Sequence, residues 1–135
     1  MNTWKVKKNS GFTILELMIV IVIVAILASL AYPTYTQYVR KSKRGEAQQL
    51  LMNWSINQEI WRSNNTQYAT ATQLPAPIND NYIFDLTVAP TATTYTLRAV
   101  AQNDQVNDVS KEGASCSTLT LNQSGVKGDE ATCWD

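Results

Sequence analysis

The sequence predicts an α+β fold in which one long N-terminal α-helix packs on a small antiparallel β-sheet. Three observations support this prediction. Residues 12–32 form an apolar run with one charge, residues 46–62 have the spacing of an amphipathic helix, and two later segments, 82–88 and 95–101, alternate apolar and polar side chains. A helical pattern followed by alternating strands is typical of an α+β domain.

The apolar run from Phe12 to Tyr32 contains 21 residues. As an α-helix it would rise about 31 Å, which is close to the thickness of a bilayer core. Alternating Ile and Val would also suit a strand, but the length favours a membrane helix. Three lysines precede the run and four basic residues follow it closely, so the positive charges do not give its orientation.

Glu16 is the single charged residue of this run. A carboxylate in hydrocarbon costs about 2.5–3.5 kcal/mol on insertion scales, so its position requires a partner. Cleavage between Gly11 and Phe12 would provide one, because Phe12 would then carry an α-amino cation four residues before Glu16. The same amine on a neighbouring copy would serve equally well, so Glu16 is a candidate for setting the register between identical helices.

The segment Lys7–Glu16, with the sequence KKNSGFTILE, resembles the class III signal of type IV pilins and pseudopilins. The resemblance implies that a prepilin peptidase cuts after Gly11 and methylates the new N-terminal Phe12, and that Glu16 docks the subunit into a filament. It also implies the partners, which are other pilin subunits, the prepilin peptidase, the inner membrane and the pilus assembly platform.

Two other interpretations of the N-terminus remain open. An ordinary secretory signal peptide would use the preceding lysines and a small-residue cleavage site at Ser29–Ala31. A plain membrane anchor is the second. Both leave Glu16 unexplained inside the apolar segment, so the pilin-type signal is favoured.

The resemblance divides the chain into a prepilin leader (residues 1–11), a transmembrane and assembly part of the helix (residues 12–45) and a globular head (residues 46–135). Leaders of this family are cut on the cytoplasmic side. We therefore expect a single-pass inner-membrane protein with a cytoplasmic N-terminus and a periplasmic head, which later becomes part of an extracellular pilus.

The long helix is predicted to run from Phe12 to about Arg62. Pro33 interrupts it, because proline has no N–H to donate to the Ser29 carbonyl. We interpret Pro33 as a helix kink, either at the membrane exit or at a point that loosens during filament assembly. Gly45 is a second weak position. Between the two lie four basic residues expected to form a solvated face: Arg40, Lys41, Lys43 and Arg44.

The second half of the helix carries an apolar stripe that is expected to lie on the sheet and form the core of the head. Its members are Ala47, Leu50, Leu51, Trp54, Gln58 and Trp61. The first strand should place Tyr82, Phe84, Leu86 and Val88 on one face. We expect an antiparallel hairpin to connect it to a second strand at residues 95–101.

A third strand is predicted at residues 118–121, followed by a turn at residues 123–128. Residues 63–81 and 102–115 are expected to be irregular. Cys116 and Cys133 bracket the predicted turn, and in an oxidising periplasm they should pair, contributing about 3 kcal/mol in the chain-entropy model. This ending, and the helix-to-loop junction, also resemble those of minor pilins of the PilE and ComP type.

The composition argues against an enzyme. There is no histidine, both cysteines are expected to be oxidised, and the sequence has no glycine-rich phosphate loop. We expect no cofactor and no metal. Asp104, Asp108 and Glu112 are an alternative calcium site of a kind found in some pseudopilins, but they lack EF-hand spacing.

The sequence therefore predicts a structural subunit of a type IV pilus, a minor pilin that serves adhesion, twitching motility or DNA uptake. A ComP-like DNA-uptake receptor and a pseudopilin of type II secretion are the alternatives. Residues 46–135 carry four basic and ten acidic side chains, a formal charge of −6, which disfavours general DNA binding. A local basic patch at Arg98, Lys111 and Lys127 remains open.

Overall fold

The computed structural model describes residues 11–128 and 131–134. Apart from Gly11, the predicted leader therefore lies outside the described residues. The chain forms two compact units, Met1–Tyr35 and Thr36–Asp135. The predicted functional division at residue 45 stays a prediction.

One helix, α1 (Ile14–Asn64), extends through both Pro33 and Gly45. Its bounds differ by two residues at each end from the predicted ones. At the C-terminal end, the Asn65 side-chain amide donates to the Trp61 carbonyl at 2.8 Å. This bond satisfies a carbonyl that the ending helix leaves without a partner. The predicted kink at Pro33 stays a prediction.

In the first unit, the described side chains of the apolar run are exposed, for example Leu17 at 57% and Ile21 at 59%. Within the described residues, α1 is the one helix that has the length and composition needed to cross a membrane. An apolar surface on every side of a helix needs lipid or other helices around it. The apolar side chains of the first unit are therefore expected to lie in lipid or against other helices.

The second unit contains a four-stranded antiparallel sheet with the strand order β1-β2-β3-β4. The strands are β1 (Tyr82–Leu86), β2 (Thr96–Ala101), β3 (Thr118–Asn122) and β4 (Lys127–Gly128). Strand β4 is an addition to the prediction, which gave only a turn there. Gly125 makes this turn possible because its φ of 72° lies in the left-handed region that glycine adopts without strain.

The core of the second unit lies between the sheet and the part of α1 that follows Thr36. The predicted stripe is confirmed, because Ala47, Leu51, Trp54 and Gln58 are buried, while Leu50 and Trp61 are partly buried. The inner faces of the strands complete the core with Tyr82, Phe84, Leu97, Ala99, Leu119 and Leu121.

Gln58 is the polar member of the stripe and is fully buried. Its amide group donates to the Ala69 carbonyl at 3.0 Å and accepts from the Ala69 N–H at 2.8 Å. A buried amide that satisfies both of its polar atoms in this way avoids the cost of desolvation. Gln58 therefore fixes the loop that follows the helix.

Two details of the predicted head are wrong. Val88 is 66% exposed, because β1 ends at Leu86 and the chain has already left the sheet. Residues 102–115 are more ordered than expected, since they contain a 3₁₀ helix, Asn103–Asn107, and a bridge between Val109 and Ser115.

Candidate functional site

The predicted processing and assembly residues lie together at the start of α1, in the first unit. Phe12 is 83% exposed, and Thr13 occupies the position before the first helical residue. The Thr13 hydroxyl accepts the backbone N–H of Glu16 at 3.1 Å. The Thr13 carbonyl accepts the N–H of Leu17 at 3.2 Å, so Thr13 is the N-cap of the helix.

The Glu16 side chain is exposed and lies in the first turn of α1. A negative charge in this position is favoured by the helix macrodipole. Within the described part of the chain, its carboxylate has no hydrogen bond or ion pair in the isolated subunit. The carboxylate is therefore available for an amine that cleavage or a second subunit would bring.

In the second unit, Cys116 and Cys133 form a disulfide with both residues fully buried. The bond joins the segment before β3 to a short 3₁₀ helix, Ala131–Trp134. The Gln48 side chain donates to the Cys133 carbonyl at 2.7 Å. Two kinds of contact thus hold the C-terminal segment, one to the sheet side and one to α1.

Two arginines of α1 bind two aspartates of the segment around the first 3₁₀ helix. Arg44 and Asp108 form an ion pair at 2.8 Å with both side chains 3% exposed. Arg40 contacts both carboxylate oxygens of Asp104, at 2.9 and 2.8 Å, at the surface. The expectation that this basic run is a solvated face is therefore wrong for Arg44, although Lys41 is exposed.

Gln105 lies between Asp104 and Asp108 in the sequence and is buried. Its side-chain amide donates to the Arg40 carbonyl at 2.9 Å and to the Tyr82 hydroxyl at 3.0 Å. Burial raises the pKa of Tyr82 to about 12, so the hydroxyl stays neutral at ordinary pH. The segment that follows β2 is thereby attached to both α1 and β1.

The two aspartates have different electrostatic environments. Burial raises the pKa of Asp108, against the opposing effect of the Arg44 charge. A hydrogen bond from Arg40 lowers the pKa of the exposed Asp104. Asp104 and Asp108 thus bind arginine side chains. The alternative interpretation of these residues as a calcium site did not include this arrangement. Among the residues described, no cluster of three His, Cys, Asp or Glu side chains has metal-binding geometry.

The three bases of the possible DNA patch lie in different environments. Arg98 forms a two-point ion pair with Asp85 across β1 and β2, at 2.9 and 2.6 Å. The Lys127 ammonium lies 5.2 Å from the ring centre of Trp134. Lys111 is exposed. Only part of the positive charge in the proposed patch is therefore directed to solvent.

Sequence reasoning missed the Arg44–Asp108 and Arg40–Asp104 pairs, although a signal exists. Arg40 and Arg44 are four residues apart on α1. Asp104 and Asp108 have the same spacing in the polar segment after β2. Residues at this spacing lie on the same face of a helix. The matched spacing could have suggested parallel ion pairs.

Two family models match the chain. The model described as "Type IV minor pilin ComP, DNA uptake sequence receptor" matches residues 33–120, and the prokaryotic N-terminal methylation motif matches residues 6–32. No curated protein matches the chain significantly.

Two solved structures have the same fold. A type IV pilin from Shewanella oneidensis is 28% identical with a TM-score of 0.56, and the match covers 71% of this chain and 98% of that pilin. The non-core minor pilin PilV of Neisseria meningitidis is 21% identical with a TM-score of 0.54, covering 72% of this chain and 95% of PilV. The predicted fold, a long N-terminal helix on an antiparallel sheet, is confirmed.

Proposed function

The chain belongs to the type IV minor pilin family represented by ComP, and we propose that it is cut after Gly11, N-methylated at Phe12 and built into a pilus through α1. The observation that carries this proposal is the start of the helix. Phe12 and Glu16 stand beside the N-cap of α1, and the described side chains of the apolar run that follows are exposed in the isolated subunit. A filament of identical helices would cover that surface.

Other pilin subunits and a prepilin peptidase are the partners that the family and its methylation motif imply. The apolar helix anchors the subunit in a membrane before it enters the pilus. We assign the N-terminus to the cytoplasm and the head to the periplasm, because the proposed peptidase acts on the cytoplasmic side. The buried disulfide supports an oxidising location for the head. The assembly platform is the further proposed partner.

Glu16 has an electrostatic role in this proposal. Its carboxylate would pair with the α-amine of Phe12, in the same subunit or in an adjacent one, when the helix leaves lipid and joins the filament. An unpaired carboxylate or ammonium is costly in apolar surroundings, so correct axial register is the arrangement with the lowest free energy.

The intact mass and N-terminal sequence of the protein from its native membrane test the processing step. We expect a chain that starts at N-methylated Phe12. A chain that starts at Tyr32 would indicate ordinary secretion of the head, and an uncut Met1 in a host with active peptidase would indicate a simple anchor. Either result would contradict the proposal.

Glu16→Ala is expected to leave cleavage and methylation intact but to lower incorporation into filaments at least tenfold, because the Phe12 amine would lose its partner in an apolar environment. The ratio of processed protein in sheared pili to processed protein in the membrane measures this effect. Glu46→Ala is the matched control, since it removes an exposed carboxylate from the same helix. Wild-type incorporation of the Glu16→Ala variant would exclude the docking role.

A second candidate function is DNA capture on the pilus. It is favoured by the match to a family model whose description names a DNA uptake sequence receptor. Among the basic side chains predicted to form a DNA patch, Lys111 and Lys127 are the two that lie exposed, whereas Arg98 is engaged by Asp85. Lys111 and Lys127 are therefore the groups that would contact phosphates.

If the head captures DNA, it is expected to shift a short duplex in a gel at low salt. With two phosphate contacts, the logarithm of affinity should fall with the logarithm of salt with a slope of about −2. Charge reversal by Lys111→Glu and Lys127→Glu should abolish the shift, whereas Asp80→Asn, which removes one negative charge, should not. Absence of any shift at low salt would contradict this function and leave the structural role untouched.

A further inference from the structure

A small cavity lies on the surface of the second unit, where α1 ends and the following loop begins. Its volume is about 150 Å³, which is below the ~300–1,000 Å³ of sites for drug-sized ligands. The cavity therefore has room for one small ring. The residues that line it all have uncharged side chains, and they are Trp61, Asn65, Thr66, Gln67, Tyr68 and Gln73.

The loop that forms this cavity is held in place on two sides. On one side, the Arg62 guanidinium donates to the Asn65 carbonyl at 2.6 Å. On the other, the Tyr68 N–H donates to the Thr91 carbonyl at 3.0 Å, and the Tyr68 ring packs edge-to-face on Tyr95 with the ring centres 4.6 Å apart. The cavity is thus formed without a ligand, which lowers the entropy that binding would cost.

The polar side-chain groups of the loop, residues 65–74, fall into two sets. One set builds the loop itself, for example the Gln73 Oε1, which accepts the Thr70 N–H at 2.9 Å. The other set has no hydrogen bond among the described residues, and every member belongs to a residue that lines the cavity: the Asn65 Oδ1, the Thr66 Oγ1, the Gln67 amide and the Gln73 Nε2. The unused hydrogen-bonding capacity of the loop is therefore gathered around the cavity.

We propose that this cavity binds one neutral sugar ring at the end of a glycan. Amide oxygens accept hydrogen bonds, amide N–H groups donate them, and a hydroxyl does both, so the unused groups suit a ligand that is itself covered with hydroxyls. Trp61 is half-buried, and its indole packs against the C–H bonds on one face of the ring, which the negative face of an aromatic system attracts.

The charge and polarity of the lining disfavour other ligands. A phosphate or carboxylate would meet no Lys or Arg among the lining residues, although such groups are the usual partners of these anions. Arg62 is close in sequence, but it donates to the carbonyls of Ala92 and Asn65. An apolar ligand would desolvate the unused amides and hydroxyl without replacing their hydrogen bonds to water. A neutral, hydroxyl-rich ring satisfies both conditions.

An NMR titration of the full-length chain in lipid nanodiscs tests the proposal. The probes are the methyl glycosides of glucose, galactose, mannose and N-acetylglucosamine, and the readout is the indole N–H resonance of Trp61, assigned from its loss in Trp61→Phe. We expect at least one glycoside to shift this resonance in a saturable way. A dissociation constant of about 1 mM is expected for a ligand of this size.

Two substitutions remove unused groups without removing a bond of the loop. Gln67→Ala deletes an amide that has no hydrogen bond among the described residues. Gln73→Glu keeps an oxygen for the Thr70 N–H and removes the amide donor. Each should weaken glycoside binding about fivefold, the ratio that corresponds to loss of one hydrogen bond. Asn57→Ala is the matched control, because it removes an exposed amide of α1 away from the cavity, and it should bind like wild type.

Three results would overturn the proposal. The first is the absence of a saturable shift with all four glycosides at about 10 mM, well above the expected dissociation constant. The second is equal affinity of wild type and Gln67→Ala. The third is a shift caused by a single-stranded oligonucleotide and by no glycoside, which would assign the cavity to a stacked base. The inference does not depend on processing or filament assembly, so its failure would leave the proposed function unchanged.

Discussion

Asp108→Ala is expected to destabilise the head by about 3–5 kcal/mol, because it leaves the Arg44 guanidinium buried without its partner. The two side chains are 2.8 Å apart and 3% exposed. Burial raises the pKa of Asp108 in spite of Arg44, so desolvation outweighs the attraction between the charges. Removing both charges together should therefore cost much less than removing one.

Denaturant unfolding of the second unit, Thr36–Asp135, measures this difference, because this unit contains Arg40 and Arg44 as well as the head. Asp104→Ala is the matched control, since Asp104 binds Arg40 at the surface with its own side chain 67% exposed, and such pairs contribute at most about 1 kcal/mol. The double variant Arg44→Met with Asp108→Leu should recover most of the stability lost in Asp108→Ala. Equal destabilisation by Asp104→Ala and Asp108→Ala would show that the buried pair has no special energetic role.

The same residues show how far sequence reasoning extends. Local periodicity predicted the helix and three strands, because α1 and the strands bury one face each and repeat apolar residues at that period. Arg44 and Asp108 are 64 positions apart in the sequence. Periodicity carries no information about which polar side chains form a pair over such a separation. The buried arginine therefore looked like part of a solvated basic run.

Other differences have similar causes. Val88 continues the alternation of β1 in the sequence, but Thr87 N–H already bonds to the Thr96 carbonyl at 3.1 Å at the end of the ladder, and the chain then leaves the sheet. Strand β4 has two residues, which is too few for a periodic signal. Such short elements are decided by tertiary contacts, not by local pattern.

The candidate assembly site was predicted from sequence in part. Gly11, Phe12 and Glu16 are recognisable because a single charge at a fixed distance from a glycine stands out in an apolar run. The N-cap at Thr13 was not predicted, because the charge of Glu16 carries no information about the hydrogen bond of its backbone N–H. The hydrogen bond at 3.1 Å shows that the motif also contains the N-cap of the helix.

Replacing both cysteines, Cys116→Ala with Cys133→Ala, is expected to lower the free energy of unfolding of the head by about 2–5 kcal/mol. The disulfide closes a loop with a sequence separation of 17, so its loss gives the unfolded chain more conformations. In the chain-entropy model, a loop of this size corresponds to about 3 kcal/mol. A small core, shared between one helix and a four-stranded sheet, has few other contacts to offset such a loss.

Gln48→Ala separates the covalent contribution from the noncovalent attachment of the same segment. It removes the hydrogen bond to the Cys133 carbonyl, at 2.7 Å, and should cost about 1 kcal/mol. The double cysteine variant should also expose the C-terminal segment to proteolysis, whereas Gln48→Ala should keep it protected, because the disulfide still holds that segment to Cys116, in the segment before β3. A cysteine variant as stable as wild type would mean that packing around Cys116 and Cys133 alone holds this end of the chain, and then reducing agents would not affect the folded head either.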